Sequence, residues 1–186
     1  KTYHSNVLPA LAKVISNENE NIRVRIETIL CLSSFLKGFV DEEESVEVDD
    51  YSDEIKPYSK EILSLLAKTF TFSLTIQNFK LQEACLSCIS LIATILGQEF
   101  SVFYNEIMPF LKELLLNLIT SSDSNGNPNK KQLTAECINT ISFICSSLNE
   151  NPSLYKHDFI YFCDLFHKLL LTLKEEDPEV ISIFKG

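Results

Sequence analysis

Apolar residues recur at three- and four-residue spacing in two runs near the middle of the chain, IMPFLKELLLNLIT (107–120) and LTAECINTISFICSSL (133–148). The segment between them, SSDSNGNPNKKQ, is polar throughout. Apolar stripes of that period belong to helices with one buried face, so the pattern predicts a helix, a hinge and a second helix folded back against the first.

The same unit recurs along the chain. Toward the N-terminus, Val7, Leu8, Leu11, Val14 and Ile15 form one stripe, with Pro9 inside it as a bend. The polar hinge SNENEN leads to IRVRIETILCLSSFLKGF, which ends near Gly38, a residue suited to a left-handed helix cap. IKPYSKEILSLLAKTF, with Pro57 in its first turns, pairs in the same way with FKLQEACLSCISLIATIL, closed by Gly97. After the central pair, Asn151 and Pro152 read as a cap and first residue for HDFIYFCDLFHKLLLTL, and Asp177 with Pro178 open one more helix. The predicted pairs span 3–39, 54–98, 101–149 and 154–186, the last one cut short, which makes the chain read as a piece of something longer.

Two of these units align without a gap: Pro57 with Pro109, Glu61 with Glu113, Cys85 with Cys137 and Ile89 with Ile141, each 52 residues apart. Tyr161 lies 52 after Pro109, where a third proline would fall, and Pro9 lies 48 before Pro57. A hairpin of two helices repeated at this interval is close to the ~40–47 residues of HEAT or armadillo repeats. The predicted fold is therefore all-α: a HEAT-repeat, armadillo-like superhelix of antiparallel helix pairs, in which stacking buries what one hairpin leaves exposed.

Composition narrows the function. The 186 residues carry a net charge of −10, which argues against nucleic acid as a direct partner and favours basic proteins. The apolar stretch CISLIATILG reads as too short and too interrupted to cross a bilayer, and the N-terminus shows no signal segment. Six cysteines lie within apolar helical segments, a usage that fits a reducing intracellular compartment better than a disulfide framework. Cys85 and Cys88 have redox or zinc spacing, but no second pair accompanies them, and mid-helix placement favours core packing. His4, His157 and His167 are scattered, and no phosphate loop, nucleophile elbow or metalloprotease motif occurs. The sequence predicts a non-enzymatic protein without cofactor or metal.

At this point the residues resemble a known family. YNEIMPFLKELL (104–115) with KKQLTAECINTISFI (130–144) is similar to the central HEAT repeats of importin-β superfamily nuclear import receptors, and most of all to the karyopherin beta-3 (importin beta-3) group. Tyr104, Met108, Pro109, Leu111 and Lys112 carry the likeness on the first helix, with Thr134, Glu136, Cys137, Ile138 and Ile141 on the second. The hinge at 121–130 and the acidic run from Asp41 look like departures from that pattern. The resemblance implies a carrier of basic cargo proteins that engages the GTPase Ran, slides past Phe-Gly nucleoporins and works in cytoplasm and nucleus, including the pore. A non-transport HEAT scaffold, of phosphatase-regulatory, chromosome-organising or vesicle-coat type, is the alternative.

Candidate contacts follow from charge and from the resemblance. The segment 41–54 holds nine acidic residues and no basic one, among them Asp41, Glu42, Glu43, Glu44, Glu47, Asp49 and Asp50. It reads either as a solvated loop or as an electrostatic lure for basic cargo or for Ran. If the return helices line a concave face, as in the receptors, Glu27, Gln82, Glu83, Glu136 and Asn139 are candidate cargo contacts. Tyr58 and Phe110 on the outer helices are candidates for Phe-Gly docking.

Overall fold

The computed structural model describes residues 3–40, 52–120 and 127–170, and among them every regular element is helical. Seven α-helices follow in order: α1 His4–Ser16, α2 Ile22–Lys37, α3 Ser52–Thr75, α4 Phe79–Leu96, α5 Ser101–Thr120, α6 Pro128–Ser147 and α7 Pro152–Leu170. A 3₁₀ turn, Gly97–Phe100, stands between α4 and α5. The described residues are all-α, and consecutive helices pair in the HEAT-like manner.

The chain divides into two compact units, 1–96 and 97–186. In the first, α4 packs against both α2 and α3, while α1 packs against α2 and α3. In the second, α5 lies against α6 and α7. The apolar stripes become these seams: Leu8 and Ile15 of α1, Ile29, Leu32 and Leu36 of α2, Leu66 and Phe70 of α3, and 11 of the 18 residues of α4 are buried.

The 52-residue register is a register of burial. Ile62 and Leu114, Leu66 and Leu118, Leu81 and Leu133, Cys85 and Cys137, Ile89 and Ile141, and Ile92 and Ile144 are buried in both units. Pro9, Pro57 and Pro109 all lie inside their helices and are exposed. Each removes one backbone donor on the solvent side, where water can satisfy the carbonyl left without a partner. The next interval differs from the 52 expected. Leu111, Leu114 and Leu118 match buried Phe162, Leu165 and Leu169, which are 51 residues on, so Ile160 rather than Tyr161 takes the proline position.

Helix ends follow a shared chemistry. Asn21, Asn78 and Asn127 each precede a return helix and accept a backbone N–H from Arg23, Leu81 and Asn129, at 2.9, 2.9 and 3.0 Å. Four residues past the first two caps, a buried side chain reaches back to the end of the preceding helix. Arg25 Nε donates to the Ile15 carbonyl at 3.0 Å, and Gln82 Nε2 donates to the Ser73 carbonyl at 3.3 Å. Helix C-termini leave carbonyls without intrahelical donors, and these two side chains supply them from the next helix. At the same hinge Gln77 takes the left-handed conformation (φ 52°), and the Asn78 N–H reaches the Ser73 carbonyl as well.

Gly97 closes α4 with φ +51°, as its position suggests. Gly38 does not adopt the left-handed cap: its φ is −59°, and the chain leaves α2 through tight turns in which Phe39 and Val40 donate to the carbonyls of Leu36 and Lys37. A right-handed turn of this kind satisfies the last carbonyls without any positive φ. The apolar segment at Cys88–Gly97 is also longer in helical terms than it reads. The helical stretch Phe79–Thr120, in which α5 follows α4 in sequence after the 3₁₀ turn, is long and apolar enough to cross a membrane by length and composition. Its apolarity has a local account in the buried faces of α4 and α5, each within its own unit.

Replacing Leu66 or Leu118 with alanine should each cost about 2–5 kcal/mol of stability, the range for emptying a packed core site. Asn78→Ala should cost about 1 kcal/mol through the lost cap. Urea unfolding followed by circular dichroism at 222 nm reads both; equal losses for cap and core variants would contradict the seam described here.

Candidate functional site

The acidic residues Asp41, Glu42, Glu43, Glu44, Glu47, Asp49 and Asp50 lie outside the described residues. The return-helix candidates are placed. Glu83 sits on α4 in the first unit, and Glu136 and Asn139 sit on α6 in the second; all three are half-buried. Glu83 and Glu136 are both engaged with neighbouring groups. Glu27 on α2 is exposed. Gln82 is not a surface contact: it is 3% exposed and holds the Ser73 carbonyl, a buried structural role. Tyr58 and Phe110 are half-buried, and Tyr58 meets His4 edge-on, with ring centroids 6.2 Å apart.

The thiols face inward. Burial pushes the Cys85, Cys88 and Cys137 thiols upward, Cys88 to about 12, so that they stay protonated. Cys137 donates to the Leu111 carbonyl at 3.7 Å, tying α6 to α5. Low-pKa thiolates are the form that attacks disulfides and binds metals, and these thiols are shifted the opposite way. Among the described residues no group of His, Cys, Asp and Glu is gathered for a metal ion.

The first unit holds a groove of about 640 Å³ between α1 and α3, reaching down to Arg25 of α2. Leu8, Pro9, Ile62, Leu65 and Phe72 are among its apolar lining, and Lys13, Lys68, Glu18 and Glu61 are its charged residues besides Arg25. Arg25 is 4% exposed, with its guanidinium 4.8 Å from the Phe72 ring centroid. The sequence carried a faint sign of it: Arg25 falls on the stripe continued by Ile29, Leu32 and Leu36, where an apolar residue belongs.

In the second unit Asp158 of α7 gathers two partners from α5. Tyr104 donates its hydroxyl to Asp158 at 2.7 Å, and Lys112 pairs with the same carboxylate while lying over the Tyr161 ring at 5.9 Å. Burial, and then the Asp158 carboxylate, push the Tyr104 phenol well above its ordinary value. These groups are 46 and 54 residues apart, and no local pattern announces their meeting. Tyr104 and Lys112 had drawn notice only through family resemblance; here they pin α7 onto α5.

Similarity to known proteins runs parallel to this architecture. Over 131 residues the chain is 30% identical to a probable importin-5 homolog of Dictyostelium discoideum, an alignment covering 70% of this chain and 11% of that protein. The chain therefore spans about a tenth of the length of the relative it matches. No protein-family model matches the sequence, and no solved structure does. The likeness supports the importin-β superfamily at most, and the karyopherin beta-3 group within it is not singled out.

Tyr104→Phe should destabilise the second unit by roughly 1–2 kcal/mol, the worth of a hydrogen bond to a charged group. The pH dependence has a definite sign. A phenol whose folded pKa is raised contributes stability below its unfolded value of 10.0, and that contribution is lost as pH climbs beyond it. Unfolding free energies measured by urea titration from pH 8 to 11 should fall in the wild type above about pH 10, and fall less steeply in Tyr104→Phe.

Proposed function

We propose that this chain is a run of HEAT-type repeats from a nuclear transport receptor, a non-enzymatic carrier of basic import cargo that releases its load when Ran-GTP binds. The observation that carries this reading is the 131-residue likeness to an importin-5 homolog, in a chain whose buried positions repeat at 52 residues. The closer kinship proposed is with the karyopherin beta-3 group, on the strength of Tyr104, Met108, Pro109, Leu111 and Lys112. Partners would be Lys- and Arg-rich cargo, Ran and Phe-Gly nucleoporins, encountered in cytoplasm, nucleus and the pore between them.

A net charge of −10 supports attraction of basic ligands, and the acidic run 41–54 concentrates that charge in one segment. Charge of this kind raises association rates more than it tightens the final complex, and salt weakens it. Release follows if cargo and Ran-GTP favour different curvatures of one flexible repeat array, each ligand shifting the population by its own preference. Glu83, Glu136 and Asn139 are the cargo contacts offered by the return helices in this reading.

In the full-length protein, a fluorescent Lys-rich import-signal peptide should bind and be displaced by Ran-GTP, read by anisotropy. If neither Ran-GTP nor Phe-Gly peptides bind, the receptor reading fails and the scaffold alternative takes its place. Exchanging the acids of 41–50 for Ser and Gly should slow cargo association roughly tenfold at low salt and much less at 0.5 M salt. An unchanged on-rate would make that run a solvated linker.

A further inference from the structure

The solvent face of the second unit changes character between α5 and α7. On the 51-residue register that relates these helices, Asn105, Glu106, Pro109, Glu113, Leu116 and Asn117 have counterparts on α7. The counterparts are Lys156, His157, Ile160, Asp164, His167 and Lys168, and every residue of both sets is exposed. The α5 set carries two carboxylates and no cation. The α7 set carries two lysines and two histidines against one carboxylate, in a chain of net charge −10. His157 Nδ1 lies 3.8 Å from Asp158 Oδ1, yet its side chain is 99% exposed, and that carboxylate already serves Tyr104 and Lys112.

Apolar surface accompanies the change of charge. Ile160, at the proline position, is 60% exposed, and Phe159 beside it is 56% exposed. Among the described residues no other large apolar neighbours in sequence are both this open. A single exposed apolar side chain is ordinary, whereas an apolar pair ringed by cations has the composition of a contact surface. With Cys163 and the cations, the pair occupies one half of α7, opposite buried Phe162, Leu165 and Leu169. From Lys156 to Lys168 this face runs about 18 Å, at 1.5 Å per residue. The backbone groups along it are spent inside α7, so it offers no edge to an extended strand. A partner must satisfy its own backbone, which a helix does.

We propose that the exposed face of α7 docks an acidic amphipathic helix of a partner protein. The partner's apolar stripe covers Phe159 and Ile160, and its flanking Asp and Glu side chains meet Lys156, His157 and Lys168. Charge complementarity selects this occupant, since the rest of the chain repels anions and this face does not. An anionic bilayer has similar chemistry but is broad, and it meets the negative charge of the whole chain. A short helix answers mainly to charges within a screening length of about 8 Å, which here are those of α7. The proposal does not depend on the receptor reading, since it uses only the solvent face of one helix.

The test uses the whole 186-residue chain and two capped, fluorescein-labelled helical peptides of about four turns. Both carry one Leu stripe, flanked by Glu in the first and by Gln in its twin. The Glu peptide should bind at least about tenfold more tightly than the Gln peptide, read by anisotropy. Lys156→Gln/Lys168→Gln alters exposed positions and should erase most of that preference with the unfolding midpoint unchanged. Asp164→Asn removes the opposing charge and should move the preference the other way. Phe159→Ser/Ile160→Ser should weaken both peptides several-fold. Equal binding of the two peptides, binding of neither, or a preference that survives the lysine variant would overturn the proposal. Capture by vesicles of equal phosphatidylserine and phosphatidylcholine, lost in Phe159→Ser/Ile160→Ser, would make the face a membrane contact, which also overturns it.

Discussion

A helical hairpin cannot hide its own apolar stripe, and α4 shows how this chain meets that constraint. Eleven of its residues are buried, because α3 covers one side of the helix and α2 another. Neither hairpin of the first unit would keep this face out of water alone. Each buried large aliphatic side chain contributes about 1.5–3 kcal/mol relative to exposure, so the seam around α4 is the main source of stability for the unit. The exposed prolines of α1 and α3, the Asn caps and the reach-back of Arg25 and Gln82 adjust the ends of helices whose middles this packing already fixes.

The second unit uses the same seam with a different fastening. Leu111, Leu114, Leu115 and Leu118 of α5 are buried, α5 packs against α6, and Cys137 adds a weak thiol bond to the Leu111 carbonyl. Between α5 and α7 the fastening is polar: one carboxylate, Asp158, serves both Tyr104 and Lys112. A carboxylate with two donors costs less to desolvate than one with a single donor, which explains how an acid can sit at this half-buried contact. The two units thus share a register of apolar positions while differing in how polar groups close the ends.

Much of the helical pattern was legible because burial follows a 3.6-residue period, and that period survives in the order of residues. Leu63–Leu66–Phe70 and Leu111–Leu115–Leu118 announce their helices without any knowledge of partners. The close of α4 at Gly97 was legible for a similar reason, since it is local. The end of α2 was not: glycine permits a left-handed cap but does not compel it, and Gly38 stays right-handed. Tyr161 was misplaced by one residue because a strict interval ignores the length of the preceding turn. Arg25, Gln82 and Asp158 escaped for a different reason. Their roles depend on groups 9 to 54 residues away, which one-dimensional patterns do not bring together. Of the candidate contacts, the half-buried Glu83, Glu136 and Asn139 are now placed on their helices, while the acidic run lies beyond the described residues.

The six unpaired thiols form a built-in set of chemical clocks. Cys31 and Cys163 are exposed, Cys145 is intermediate, and Cys85, Cys88 and Cys137 are sealed in the seams. An alkylating reagent would mark the two exposed thiols directly and the sealed three only when their helices part. Because Cys85 and Cys88 belong to the first unit and Cys137 to the second, the order in which they are marked would time the opening of each unit separately, without any label added to the chain.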